Sequence, residues 1–193
     1  MNICGRCILA GRNYRSMKIQ TDTRFKIVAG IIIAGALFRL IPHPLNFTPL
    51  AAMALFAGTY LKDKKAAMII PLGAMMLSDI LLEIINGSGF HSTMIFVYGS
   101  MMLITMLGFF LRGREQRATI MVASLTGSMF FFLITNFGVW LVQNMYPMTL
   151  EGLTACYVAA IPFFKGTLMG DLFYNVVFFG AFALARRTIP ALN

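Results

Sequence analysis

The sequence predicts an all-α membrane protein: a bundle of six transmembrane helices with a short interfacial or re-entrant helix at the outer surface and both termini in the cytoplasm. Three observations predict it. Of 193 residues, 59% are hydrophobic and 12% charged, and the mean hydropathy is +0.78, far from the composition of a soluble domain. Apolar runs recur at 25–41, 49–61, 66–85, 94–111, 118–142 and 166–185, most of them near the roughly 20 residues a spanning helix needs. The cations gather between alternate runs, as they do when one set of loops faces the cytoplasm.

Residues 1–24 form a basic leader assigned to the cytoplasm. "MNICGRCILAGRNYRS" lacks an apolar run long enough for a signal peptide, and Met17 begins a more ordinary membrane-protein start, so an over-long N-terminus is expected. Cys4 and Cys7 make one CxxC without a second pair, weak support for a metal site, and no metal ligands are assigned. The first run ends in "RLIPHPLNFTPLA", where Pro42, Pro44 and Pro49 break the chain into a turn. Thr48 is placed to cap the next helix, with Pro49 at its first position, where a missing N–H costs nothing.

The runs at 66–85, 94–111 and 118–142 follow, separated by "KDKK", a turn and "RGREQR". "GLTACYVAAIPFF" at 152–164 is about 13 residues long and ends near Pro162. Counted as a span, it would put Arg186 and Arg187 opposite every other basic cluster. Read as an interfacial or re-entrant helix opened by Thr149, it leaves six spans over residues 25–187 and a short tail at 188–193. Fourteen of the sixteen Lys and Arg residues then face the cytoplasm, leaving Arg39 and Lys165 outside. The net charge of +9 is thus orientation signal and attraction to anionic lipid, and no nucleic-acid partner is expected.

The polar residues within the spans are the informative ones. An ionised side chain at mid-membrane costs roughly 2.5–3.5 kcal/mol on insertion scales, so Arg39, Asp79, Glu83 and Asp171 should face one another or water. Asp79, Glu83 and Asn86 stand at i, i+4 and i+7, one helical stripe. Asn136, Trp140 and Gln143 repeat that spacing, and Asp171, Tyr174 and Asn175 share one turn. With alternating helix directions all of these fall in the outer halves, level with His43 and Asn46 in the first turn. The expectation is a polar substrate cavity near the outer face, closed below by an apolar plug. The bland alternatives are an Arg39 ion pair with Asp79 or Asp171, interhelical hydrogen bonds from Asn136 and Asp171, and a solvated helix end at Glu83 and Asn86. Tyr98 and Tyr146 are read as interface residues.

"RLIPHPLNFTPLAAMALFAG", "PLGAMMLSD", "TNFGVWL", "YPMTLEGLTACYVAAIPFF" and "GDLFY" resemble the pattern of an uncharacterised bacterial six-helix integral membrane family. More loosely, by size, helix count and cytoplasmic ends, the chain is similar to the substrate-binding S components of energy-coupling-factor transporters. The second resemblance implies capture of a vitamin-like nutrient or trace metal from outside. It also implies docking on an energy-coupling transmembrane subunit with ATPases, in the cytoplasmic (inner) membrane. S components tend to carry Ala-x-x-x-Ala on the first helix, and the nearest equivalent here is Gly30-x-x-x-Ala34. Gly166-x-x-x-Gly170 and Ala54-x-x-x-Gly58 offer further close contacts, which ordinary bundle packing also explains.

One arginine against three carboxylates favours a cationic or heteroaromatic small-molecule solute, with Trp140 and Tyr174 able to stack on it. No cofactor is implied. Asp79 and Asp171 invite comparison with intramembrane aspartyl proteases, but Leu168 stands where their first glycine should be, and no HExxH or nucleotide loop is present. No enzymatic activity or catalytic residue is assigned. The alternatives to solute capture are a structural or assembly membrane protein and a trace-metal uptake component.

Overall fold

The computed structural model describes residues 23–42 and 44–192. They form six α-helices and, among the described residues, no strand: α1 (Thr23–Phe38), α2 (Leu50–Tyr60), α3 (Lys64–Asn86), α4 (Met94–Phe110), α5 (Arg117–Val142) and α6 (Leu150–Thr188). The CxxC, Met17 and His43 lie outside the described residues. Three helices, α3, α5 and α6, are long and apolar enough to cross a membrane. Large apolar side chains such as Ile84, Ile95, Phe110, Val122 and Val176 cover the outer faces, a surface suited to hydrocarbon.

α2 is the axis of the bundle. All eleven of its residues are buried, and it packs against each of the other five helices. Small residues explain how. A Cβ on Gly58 would fall 2.1 Å from the Thr105 carbonyl oxygen, and one on Gly108 would fall 2.5 Å from that of Leu55, so α2 and α4 cross backbone to backbone. Phe56 fills the space on the other side, with Tyr60, Phe178, Phe179 and Phe182 set around it at ring separations of 5.1–5.9 Å.

α3 begins where Asp63 accepts a hydrogen bond from the Lys65 amide and ends at Gly87, whose φ of 66° supplies the left-handed cap. The turn that follows folds tightly back, since a Cβ on Gly89 would meet the Asp79 carbonyl oxygen at 1.9 Å.

The largest departure from the sequence reading concerns 152–164. Those residues are no separate interfacial helix: Thr149 caps the Gly152 amide, and α6 then runs unbroken for 39 residues through Pro162. The reason is a continuous antiparallel seam with α5. Cys156 reaches the Asn136 carbonyl, the Tyr157 hydroxyl donates to that of Leu133 at 2.7 Å, Phe164 packs on Phe132, and Asp171 and Asn175 meet Ser128 and Ser124. Proline removes one backbone hydrogen bond, and a seam of this length outweighs that loss. At roughly 58 Å, α6 is about twice the thickness of a bilayer's hydrocarbon core. The C-terminal residues also do more than trail away, because a 3₁₀ turn at Pro190–Leu192 buries Leu192 in the core.

Glycine substitutions separate close crossings from open faces. Gly58→Val or Gly108→Val should lower stability by about 1–3 kcal/mol or prevent folding. Gly30→Ala, whose Cβ would meet nothing within 4 Å, should be neutral or up to about 1 kcal/mol stabilising. Thermal unfolding of purified protein in detergent measures both.

Candidate functional site

The connection between α1 and α2 organises the polar residues. α1 tightens at its end into i→i+3 bonds, Arg39 to Ala36, Leu40 to Leu37 and Ile41 to Phe38, which presents Arg39 to α3. There its Nη1 donates to Asp79 Oδ1 at 2.6 Å and also to Ser78 Oγ. The second oxygen of Asp79 accepts from the Tyr98 hydroxyl at 3.0 Å. Asp79 is thus 1% exposed with both oxygens satisfied, on a cluster joining α1, α3 and α4.

Past Arg39 the chain turns with Phe47 N–H bonded to the Pro44 carbonyl and Asn46 at φ 59°, a left-handed conformation that asparagine tolerates better than most residues. This segment lies across α6. A Cβ on Gly166 would meet the Leu45 carbonyl oxygen at 2.3 Å, and one on Gly170 would meet the Phe47 Cα at 3.1 Å. The Gly-x-x-x-Gly pair is therefore a seat for a loop backbone, where the sequence suggested helix against helix.

Asp171 follows directly. Its carboxylate accepts from Ser128 Oγ at 2.6 Å and lies beside the backbone N–H of Ala52, in the first turn of α2. α2 has Pro49 as its N-cap and no side-chain cap of its own, so Thr48 does not act as a cap, and the carboxylate of α6 is the negative charge set beside its first turn. One turn on, Asn175 donates to Ser124 Oγ and to the Asp171 carbonyl, both at 2.8 Å. Its own Oδ1 is buried with no partner among the described residues. Tyr174 is buried in an aromatic group with Phe47, Phe173 and Phe178.

The remaining candidates lie apart from these two clusters. Glu83 is exposed and accepts the Gly89 and Phe90 amides at 2.9 and 3.2 Å, holding the α3–α4 turn. Asn86 bonds Ser88. Asn136 donates to the Phe132 carbonyl of its own helix, and the Trp140 indole donates to the Pro147 carbonyl across the α5–α6 connection. Asn46 is exposed. Gly30 and Ala34 lie together on an exposed strip of α1. Among the described residues no group of three or more His, Cys, Asp or Glu stands close enough to hold a metal ion.

Sequence reasoning passed over four residues. Tyr98, read as an interface marker, binds Asp79, and Ser124 and Ser128 are the α5 partners of Asn175 and Asp171. Their i, i+4 spacing on one apolar helix was the available signal. Arg112, counted only for its charge, donates to the carbonyls of Gly58 (2.9 Å), Leu61 (2.6 Å) and Lys62 (3.2 Å), the open C-terminal end of α2.

The model of a family of unknown function, DUF6580, matches residues 19–192. The chain belongs to that family. The match takes in all six helices of this DUF6580 protein and both polar clusters. No curated protein and no solved structure matches it.

Removing half of the buried ion pair should be worse than removing both halves. Asp79→Asn leaves the Arg39 guanidinium buried without a counter-charge and should cost about 3–5 kcal/mol, whereas Arg39→Met with Asp79→Leu should recover most of it. Ser128→Ala should cost about 1 kcal/mol. Chemical unfolding of the four proteins in one detergent gives the ranking.

Proposed function

We propose that this is a multi-pass protein of the cytoplasmic (inner) membrane with six spans and both termini in the cytoplasm. On this reading it captures a small solute at the outer face, in the manner of the S components of energy-coupling-factor transporters. One observation carries the reading. Two buried aspartates from separate helices stand at the two ends of a single short connection, Asp79 bonded to Arg39 and Asp171 beside the first turn of α2. Apolar packing would fasten that connection without the cost of burying charge in hydrocarbon, so carboxylates there favour a role beyond scaffolding.

The connection would close over the solute, with Asp171 and the Phe47–Phe173–Tyr174 rings beside it offering a carboxylate and aromatic faces to a cationic or heteroaromatic nutrient. The exposed Gly30 and Ala34 leave a flat strip on α1 for a coupling subunit with its ATPases. α2, about 16 Å long, is short for a span, and the chain on either side of it would complete the crossing.

A second reading, a structural or assembly protein without substrate, is favoured by a different observation: both oxygens of Asp79 already have partners. The absence of a three-ligand cluster among the described residues gives no support to a trace-metal site.

Thermal-shift titration of the purified protein against vitamins, aromatic amines and divalent metals should find at least one stabilising organic cation. Asp171→Asn should abolish that shift while still inserting and folding. If no compound shifts the wild type and Asp171→Asn merely unfolds, the structural reading replaces this one. Gly30→Leu should break co-purification with an energy-coupling module, and an unchanged pull-down would remove that partner.

A further inference from the structure

The opposite end of the bundle holds a second polar feature that the solute reading does not use. Around the C-terminus of α2 a hollow of about 450 Å³ is lined by Arg24, Tyr60, Lys62, Arg112, Glu115 and Arg186 together with backbone of the α2 end. Four cationic side chains thus face one carboxylate. Glu115 is engaged by Arg186 at 3.6 Å. Arg112 has turned its nitrogens to the Gly58, Leu61 and Lys62 carbonyls.

Arg24 lies over the rings of Tyr60 and Phe182 at 5.6 and 5.9 Å, and its Nε is buried with no hydrogen-bond partner among the described residues. Arg112 is held below its ordinary pKa first by burial and then by the Arg24 charge, so the two guanidiniums repel across the hollow. Four cations beside a single carboxylate, two of them guanidiniums that repel each other, leave an excess of positive charge that a bound oxyanion would offset.

We propose that this hollow binds a phosphate group. Guanidinium forks match phosphate oxygens in geometry and charge better than they match a halide or a lone carboxylate. Two sources share that chemistry: the headgroup of an anionic phospholipid, whose chains would lie along the apolar outer faces, and a free phosphate in solution. Basic hollows at helix ends on the cytoplasmic side are a setting for the first. The site is at the far end of α2 from the α1–α2 connection, so it stands whether or not a solute binds there.

Native mass spectrometry of the full chain after delipidation, titrated separately with phosphatidylglycerol, phosphatidylcholine and inorganic phosphate, tests it. Saturable binding of phosphatidylglycerol but not phosphatidylcholine is expected, weakened about tenfold in Arg24→Gln and in Arg186→Gln. Arg114→Gln, exposed and outside the hollow, should bind as wild type does. Glu115→Gln, which removes the one competing carboxylate, should bind more tightly; this gain stays readable if an arginine variant fails to fold. Saturable binding of inorganic phosphate with the same dependence on Arg24 and Arg186 would assign the site to a soluble phosphate. The proposal is overturned if neither ligand binds saturably, or if Arg24→Gln, Arg186→Gln and Glu115→Gln all bind as wild type does.

Discussion

A short helix buried along its whole length must have both of its ends supplied from elsewhere in the chain, and α2 is such a helix. Three N–H groups at its start, since the N-cap Pro49 has none, and four carbonyls at its end lack intrahelical partners, and no residue of α2 reaches solvent to find water. A carboxylate from α6 meets the first end and a guanidinium from the α4–α5 connection meets the last. The signs are those the helix dipole requires, negative at the N-terminus and positive at the C-terminus. Much of the bundle follows from placing those two groups. α4 crosses α2 where Gly58 and Gly108 allow backbone contact, and Arg112 stands one helical turn beyond Gly108, within reach of the α2 carbonyls. The closeness of that crossing is what makes the cap possible.

The same logic runs through the connection that leads into α2. Gly166 and Gly170 let residues 45–48 lie directly on α6, and Asp171 is the next residue along, carried to the height of the first turn of α2. Bulk at either glycine would lift the connection away and leave the Ala52 amide and the Asp171 carboxylate buried without each other. At the other end of the connection, Arg39 and Asp79 face the general difficulty of a buried ion pair, whose mutual attraction seldom repays desolvation by itself. Tyr98 and Ser78 supply the additional hydrogen bonds that make such a pair tolerable, and they come from two different helices. Losing the alignment of α3 with α4 would therefore weaken the hold on α1 as well.

Helix identity was legible in the sequence to within a few residues, because hydropathy sets it: 66–85 corresponds to Lys64–Asn86 and 118–142 to Arg117–Val142. The fusion of 152–164 with the last helix was not. Pro162, Lys165 and Gly166 look like a break in one dimension, and only the α5 seam, with partners from Asn136 down to Ser124, shows what carries the helix through them. The polar stripes were legible as residues and less so as directions. Asp79, Glu83 and Asn86 do share one face of α3, yet the first is buried against Arg39 while the other two stand past the packed region and serve the next turn. Caps delivered across the bundle were out of reach altogether, since Asp171 and Arg112 carry no local signature of the helix they complete.

The caps also connect the direction of α2 to the charge asymmetry of the whole chain. Cytoplasmic connections of a membrane protein are rich in Lys and Arg for reasons of insertion, independent of any folded contact. A buried helix whose C-terminus points to that side finds its preferred counter-charge already present, while one pointing the other way would need a carboxylate there and a cation at the outer end. In the proposed orientation α2 runs inward, so its carbonyl end meets the basic side and its amide end meets Asp171. Arg112 closes the helix in the fold and, in that orientation, would serve a second time in orienting the chain. Inverting the bundle in the membrane would leave each of those bonds intact but would carry the basic end across the bilayer. The folded contacts alone are indifferent to which side is which, and in the proposed topology it is the distribution of cations that would decide it.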